Sequence, residues 1–398
     1  MLIFQDKINN IDAEVMQKSK LYFKGLNGLR FIAALLVVIY HASTFATAKS
    51  APAVFDFRPY SLFNNGGQAV DFFFVLSGFL ITSLLLKEYD KNNTISVKQF
   101  YIRRILRIWP LYYFIVFVCF AIFPLMIGIL HIPGTDGPDI SQLGYYIFFL
   151  ANLGFIYNQS IFLSPLWSIC VEEQFYLFVA PVIKYCRKYL VVILIGIILV
   201  KFCISVAAPY YLSTADGHYP AVFYTLRFEI ISIGCLGALF LRSKYNVYLP
   251  KLFSYPVQVI MFGFLFVILF FNKTFATGNL SVAEAIYNFL FNMAWGNILI
   301  AILFMYVILC ISLNPKSIVK TDNRLLDFLG DISYGMYMYH VIIELLVLHL
   351  LQGYFIAADI VSGTLVYYLL SIALTILVAY LSYALFEKRF LNVKKKFV

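Results

Sequence analysis

Apolar stretches long enough to cross a membrane alternate with short polar loops along the whole chain. A membrane-spanning helix needs roughly 20 predominantly apolar residues, because the hydrocarbon core of a bilayer is about 30 Å thick. This pattern predicts an all-α, polytopic integral membrane bundle of about ten transmembrane helices. The predicted spans lie at approximately 30–47, 68–86, 108–130, 165–183, 189–208, 221–241, 254–272, 285–312, 328–351 and 360–386.

One further apolar stretch, LGYYIFFLANLGFIY at residues 143–157, is not predicted to be a span. At about 15 residues it is short for a crossing, and it contains Asn152 and Gly154. A crossing here would also move every later basic loop to the opposite side of the membrane. We therefore expect a re-entrant or interfacial outer segment, which membrane proteins tolerate where protein covers its backbone.

Composition excludes a soluble domain, since 62% of the 398 residues are hydrophobic and only 13% are charged. The net charge of +10 could suggest nucleic acid, but 25 of the 30 Lys and Arg residues fall in alternate loops. The opposite loops hold only Lys49, Arg58 and Lys273. By the positive-inside rule both termini are cytoplasmic, and no nucleic-acid partner is expected. The basic segments are 1–30, 87–107, 184–188, 242–251, 316–324 and 388–396.

The domain organisation follows from the same pattern. We expect a cytoplasmic N-terminal segment at 1–29, one transmembrane domain at 30–387 and a basic cytoplasmic tail at 388–398. Residues 1–24 contain no apolar region typical of a cleavable signal peptide, so the first span serves as the targeting signal. The six cysteines are scattered without metal-ligand spacing, and no metal is expected.

The first span contains an arginine and a histidine in LNGLRFIAALLVVIYHAS, residues 26–43. Eleven residues separate Arg30 from His41, so both lie on one stripe of the helix, about 16 Å apart along its axis. His41 then lies near mid-bilayer, where an ionisable residue suggests function and can transfer a proton near pH 7. The alternatives are a structural histidine between helices and an arginine that only extends to the membrane surface.

A second group of polar residues lies in SPLWSICVEEQFYLF, residues 164–178. Counted from the outer end of its span, Glu172 reaches nearly the depth of His41. Because adjacent helical residues point about 100° apart, only one of Glu172 and Glu173 can orient the His41 imidazole. The alternative is an ion pair with Arg227 or Lys201 that ties helices together.

Three arginines lie at the inner edge of the third span, in FYIRRILRIWP at residues 100–110. Arg104 and Arg107 share a helical face, and Arg103 lies beside them. They either anchor the span by the positive-inside rule or form an anion site, since the arginine fork suits phosphate.

Two further stretches supply polar groups within or beside spans. Asp71 lies near the outer end of the second span, and Ser77 and Gly78 form a notch of small residues where a helix or a ligand could approach. His340 again falls near mid-bilayer, where we interpret it as structural. The residues assigned to the acceptor or to support of the site are Asp71, Ser77, Trp167, Gln174, Tyr176, Arg227 and His340.

With these residues laid out, the chain resembles the acyltransferase 3 family of membrane O-acyltransferases. The resemblance covers nearly the whole chain, with small departures such as Asn27 where an aspartate is common. It rests on motifs in family order: LNGLRFIAALLVVIYHA, GGQAVDFFFVLSGFLIT, FYIRRILRIWP, LWSICVEEQFYLF, LRFEIISIGCLGAL, ISYGMYMYH and SYALFEKRF.

The resemblance implies transfer of an acyl group, commonly acetyl, from cytoplasmic acyl-CoA to a hydroxyl of an extracytoplasmic or membrane-bound glycan. It implies that His41 is the essential histidine, that Arg30 is its partner, and that Arg104 and Arg107 are the inner-edge arginine pair. Glu172 and Glu173 match the glutamates of the VEEQFY element. Some members carry a fused SGNH-type domain; we expect the form without it, completed by the membrane domain or by a partner protein of polysaccharide biosynthesis.

These observations give a mechanistic hypothesis for a protein of the bacterial cytoplasmic membrane. Arginines at 30, 103, 104 and 107 bind acyl-CoA, and His41, oriented by Glu172 or Glu173, removes the acceptor proton or carries the acyl group transiently. The main alternative is a multi-pass transporter that exports a small acid or glycan, since such proteins also hold ionisable residues within spans. A structural membrane protein would leave these polar residues unexplained.

Overall fold

The computed structural model describes residues 23–48, 51, 54–55, 61–125, 138–154, 161–211, 225–271 and 295–397. All regular structure in these ranges is helical, as predicted. The helices are α1 Leu26–Ala48, α2 Gly66–Asn92, α3 Val97–Phe117, α4 Leu143–Ile147, α5 Ala151–Gly154, α6 Leu166–Tyr185, α7 Leu190–Tyr211, α8 Phe228–Phe240, α9 Leu249–Leu252, α10 Tyr255–Phe271, α11 Gly296–Leu313, α12 Arg324–Asp331, α13 Ser333–Leu350, α14 Gln352–Ala357, α15 Ile360–Ser382 and α16 Lys388–Lys394.

The helices confirm a multi-pass membrane protein but not the number ten. Within the described ranges, seven helices are long and apolar enough to cross a membrane, or nine if each of two bent pairs forms one span. The remaining predicted span, 221–241, is represented by α8, which has only 13 residues. Parts of four predicted spans, 126–130, 221–224, 272 and 285–294, lie outside the described residues, as do Lys49, Arg58 and Lys273.

The span predicted at 328–351 is not one straight helix. α12 and α13 meet at an angle of 63° around Ile332. At this break the Ser333 hydroxyl donates to the Gly330 carbonyl at 2.7 Å. Gly330 itself packs against the backbone of Asn27 at the start of α1, where a side chain would not fit. The break therefore places the end of α12 against the entry of α1.

Close helix packing explains the predicted notch at Ser77 and Gly78. A β-carbon at Gly78 would collide with the carbonyl oxygen of Ile231 on α8. Gly234, one turn further along α8, is blocked in the same way by the Val75 carbonyl on α2. Glycines at both positions let the two backbones touch, as in small-residue interfaces of membrane helices. The Gly78 side of the notch therefore holds a helix.

The segment at 143–157 contains two short helices, α4 and α5, in its described part, residues 143–154. Neither is long enough to cross a membrane, in agreement with the prediction; its re-entrant or interfacial placement stays a prediction. The helical path is interrupted between α4 and α5 at Phe149, whose φ of +55° is in the left-handed region. Tyr112 and Tyr113 of α3 each donate a hydrogen bond at 2.9 Å to a carbonyl of α4. Protein thus covers the broken backbone, as such a segment requires.

Candidate functional site

A cavity of about 300 Å³ lies between α1, α2, α3, α6 and the α12–α13 pair. Its lining on α2 extends from Val70 to Leu84, which corresponds to about 20 Å of helix. Arg30, Arg104 and Arg107 lie toward the Leu84 end. The opposite end is lined by Val70, Ser168 and Tyr337. The cavity thus joins a cationic end to an end built from aromatic, apolar and hydroxyl groups.

The three arginines at the cationic end hold no ion pair in the described part of the chain, where no carboxylate oxygen lies within 4 Å of them. The Arg30 guanidinium donates to Asn27 Oδ1 at 2.9 Å, and Asn27 Nδ2 in turn donates to Asp331 Oδ1 at 3.1 Å. Arg104 is buried, and its Nε has no hydrogen-bond partner among the described residues. Three cations without bound carboxylates form a site suited to an anion.

Arg103, predicted to share this site, does not line the cavity. Its guanidinium forms an ion pair with Glu88 at 2.7 Å and donates to the carbonyl of Phe397 at 2.8 Å. These contacts tie Arg103 to α2 and to the end of the chain's last described turn, and its part in acyl-CoA binding stays a prediction.

Glu172 lines the cavity and accepts a hydrogen bond from the Tyr176 hydroxyl at 2.8 Å. Tyr176 is also hydrogen-bonded to Ser77 Oγ. These three side chains form a polar row on the cavity wall between the arginines and Tyr337. Ser77 therefore belongs to the cavity, although its neighbour Gly78 faces α8.

Glu173 points away from this row. Its Oε2 accepts from Trp109 Nε1 at 2.9 Å, while its Oε1 has no partner among the described residues. The Arg104 guanidinium is close enough to interact with it electrostatically. Glu173 is therefore a buried group that helps to hold Trp109 and Arg104.

His41 contacts a second histidine rather than a glutamate. His340 Nε2 lies 3.2 Å from His41 Nδ1, and His41 Nδ1 also lies 3.1 Å from the carbonyl oxygen of Val37. His340 Nδ1 lies 2.7 Å from the carbonyl oxygen of Tyr337. His41 is half-buried, whereas His340 is fully buried.

The carbonyl contacts assign the protons of this pair. A carbonyl oxygen only accepts, so His340 Nδ1 must carry a hydrogen and its Nε2 is the acceptor of a neutral ring. His41 Nδ1 then carries the hydrogen directed at Val37 and His340. In the neutral ring, His41 Nε2 is left with a free lone pair, which is the form needed in a base or a nucleophile.

The predicted contact between His41 and the glutamates is wrong, because neither carboxylate lies within hydrogen-bond distance of His41. Ser168 Oγ lies 2.8 Å from the Tyr337 hydroxyl, which fixes the relative depth of α6 and α13. Glu172, four residues beyond Ser168, lies about 6 Å toward the arginines. His340, three residues beyond Tyr337, lies about 4.5 Å the other way. The two groups thus differ in depth by about 10 Å.

Comparison with known proteins decides the family. The model of the acyltransferase 3 family, described as an acyltransferase domain, matches residues 23–384. The chain belongs to the acyltransferase 3 family.

Relatives agree with this assignment. Peptidoglycan O-acetyltransferase OatA of Listeria monocytogenes is 28% identical, over 93% of this chain and 56% of its own length. A Staphylococcus aureus protein named "Putative O-acetyltransferase" is 28% identical, over 94% of this chain and 58% of its own length. The chain thus spans less than three fifths of the length of these relatives. No solved structure matches it.

The remaining predicted residues of this acyltransferase 3 chain support the helices. Asp71 Oδ1 lies 3.6 Å from Arg227 Nε, so this ion pair joins α2 to the start of α8, and neither residue lines the cavity. Gln174 Nε2 donates to the Phe149 carbonyl and to Asn152 Oδ1, both at 2.8 Å, and so holds the break between α4 and α5. Trp167 packs edge-to-face on Phe74.

Sequence reasoning missed three residues near the site. Tyr337 lines the cavity, and its carbonyl oxygen orients His340. Trp109 is the partner of Glu173. Glu344, one turn beyond His340, is fully buried, and neither of its oxygens has a hydrogen-bond partner among the described residues. Its spacing of four residues from His340 was the signal that could have revealed it. Among the described residues, no three His, Cys, Asp or Glu side chains are grouped to hold a metal.

Proposed function

We propose that this chain transfers an acetyl group from acetyl-CoA on the cytoplasmic side of the bacterial cytoplasmic membrane to a hydroxyl of a glycan on the other side. The observation that carries the proposal is the cavity, which leads from three arginines without ion pairs to within one helical turn of the His41–His340 pair. Family membership supports an acyl transfer. The name of the Listeria relative makes peptidoglycan the first acceptor to test.

The cationic end of the cavity suits the donor. Arg30, Arg104 and Arg107 would bind its phosphates, while the linear arm that carries the thioester would occupy the narrow part of the cavity. The positive-inside rule predicts that both termini are cytoplasmic, and this end would then open toward cytoplasmic acyl-CoA. The thioester would then lie near Tyr337, one turn short of the histidine pair.

The other end suits proton transfer. His41 Nε2 would accept the proton of the acceptor hydroxyl, and the resulting oxygen would attack the thioester carbonyl carbon. The carbon–sulfur bond would break, and the CoA thiolate would take up a proton on leaving. In an alternative, the same lone pair of His41 Nε2 attacks the thioester, and the acceptor hydroxyl then takes the acyl group from the acylated histidine. Proteins of polysaccharide biosynthesis would supply the acceptor.

The test uses purified protein in liposomes with acetyl-CoA on one face and peptidoglycan fragments on the other. Wild type should release CoA in an acceptor-dependent manner and acetylate the glycan. His41→Ala should lower the rate by about 10²–10⁴-fold, the usual contribution of a general base. His349→Ala, an exposed histidine of the same helix as His340, is the matched control and should retain activity. Equal activity in wild type and His41→Ala would exclude this mechanism.

A further inference from the structure

The last helix, α16, packs against α3, the helix that carries Arg104 and Arg107 of the cavity. α15 continues into α16 through a π-helical turn at Tyr383–Glu387. Phe386 of this turn contacts Phe114 of α3, with ring centroids 5.5 Å apart. Arg103 donates to the Phe397 carbonyl at 2.8 Å. Contacts before and after α16 therefore hold it against the cytoplasmic end of α3.

This packing brings a fourth cation to the arginines. Lys394 is half-buried and lies close enough to Arg107, Arg104, Arg103 and Arg30 for their charges to repel it. The other basic side chains of α16 and the turn after it are exposed, namely Lys388, Arg389, Lys395 and Lys396. Of these five basic residues, only Lys394 is not exposed.

No carboxylate neutralises Lys394 within 4 Å in the described part of the chain. Glu387, the acidic group on the preceding turn, accepts a hydrogen bond from the Ser382 hydroxyl at 3.0 Å. Asp331, beside Arg30, accepts from Asn27. Like charges brought together in a partly buried site repel one another, unless an anion binds between them. The three arginines of the cavity and Lys394 together form a site suited to a ligand with several negative charges.

We propose that Lys394 forms the outer rim of the donor site and binds a phosphate of the nucleotide half of acyl-CoA. This inference rests on the proposed function, and it extends the donor site from the cavity to α16. With the arm that carries the thioester in the cavity, the nucleotide would lie outside it, where α16 packs against α3. At this rim the flexible lysine would contribute a point charge, whereas the planar guanidinium groups of the arginines inside would bind phosphate oxygens in pairs.

The test compares Lys394→Gln with Lys388→Gln, an exposed lysine of the same helix. KM is measured for acetyl-CoA and for its 3′-dephospho analogue, and CoA binding to the purified protein is measured by calorimetry. Lys394→Gln should raise KM and Kd roughly tenfold, as expected for one charge-assisted hydrogen bond, without lowering kcat. Lys388→Gln should change neither. Lys394→Arg keeps the charge and should stay near wild type, which separates loss of charge from misfolding.

Each outcome decides a point. A smaller difference between the two donors in Lys394→Gln would assign the lysine to the 3′-phosphate, and an equal rise for both would assign it to the pyrophosphate. KM and Kd equal to those of Lys388→Gln would overturn the inference and leave the proposed function standing. Binding of CoA that depends on Lys394 without any acyl transfer would overturn the function alone. No binding of CoA by wild type would overturn both.

Discussion

His340 should act as a positioning residue for His41. Its replacement should therefore lower kcat, but by much less than the loss of His41 itself. His41 Nδ1 has two acceptors at similar distances, Val37 O at 3.1 Å and His340 Nε2 at 3.2 Å. His340→Phe removes one of them and leaves the other. One hydrogen bond contributes about 0.5–1.5 kcal/mol net, so kcat should fall roughly 2- to 12-fold. This loss is far smaller than the loss of at least about 100-fold expected for His41→Ala.

The assay is the same release of CoA in liposomes, with KM for acetyl-CoA measured beside kcat. KM should not change, because His340 contacts none of the arginines and does not itself line the cavity. Its hydrogen-bonding contact with the lining residue Tyr337 is to the main-chain carbonyl, which the substitution leaves in place. His340→Gln keeps an acceptor oxygen on the side chain and should retain more activity than His340→Phe. A His340→Phe enzyme as inactive as His41→Ala would refute the reasoning, and so would one with unchanged kcat at an unchanged Tm.

Three further predictions concern stability and are checked by the Tm of the purified protein in detergent. Gly78→Ala forces a methyl group against the Ile231 carbonyl and should cost about 1–3 kcal/mol, whereas Gly263→Ala, with no atom within 4 Å, should not lower the Tm; equal values would contradict the contact. Glu344 has no hydrogen-bond partner among the described residues, and a buried carboxyl without a partner costs about 1–3 kcal/mol, so Glu344→Leu should raise the Tm; a fall would reveal a partner. Trp109→Phe removes a hydrogen bond to the buried Glu173 and should destabilise by a similar amount; an unchanged Tm would count against that bond.

The sequence predicted the spans and their ionisable residues because both depend on local properties, the length of an apolar run and the position of a charge within it. It did not predict which helices are neighbours. Counting residues from the span ends places Glu172 and His41 at nearly the same depth in the membrane, whereas the structure separates them by about 10 Å. The count fails because the ends of a span cannot be located to within several residues from the sequence. Packing of α1 against α13 decided instead that His41 meets His340.

The arginines of α3 also show that the sequence does not predict which neighbour a side chain meets. Arg103 is spaced four residues from Arg107 and Arg104 three, so both spacings place a pair on one helical face. Periodicity cannot choose between them. The choice comes from Glu88 on α2, which lies 2.7 Å from Arg103 and leaves Arg104 and Arg107 to the cavity. That contact depends on where α2 ends, which the apolar pattern does not specify.

The cavity also bears on the choice between a transferase and a transporter. A transporter needs a path that its substrate can follow from one side of the membrane to the other. Here the far end of the cavity is lined by Tyr337, whose hydroxyl is hydrogen-bonded to Ser168 and to the Pro165 carbonyl. The carbonyl of the same Tyr337 orients His340, and His340 orients His41; neither histidine lines the cavity. A donor with a charged head and a linear arm can fill such a cavity without passing through it, and only its reactive end has to reach the histidine pair. The arrangement therefore favours a transferase, in which only the acyl group moves on from the cavity toward the histidine pair, over a transporter that passes a whole molecule.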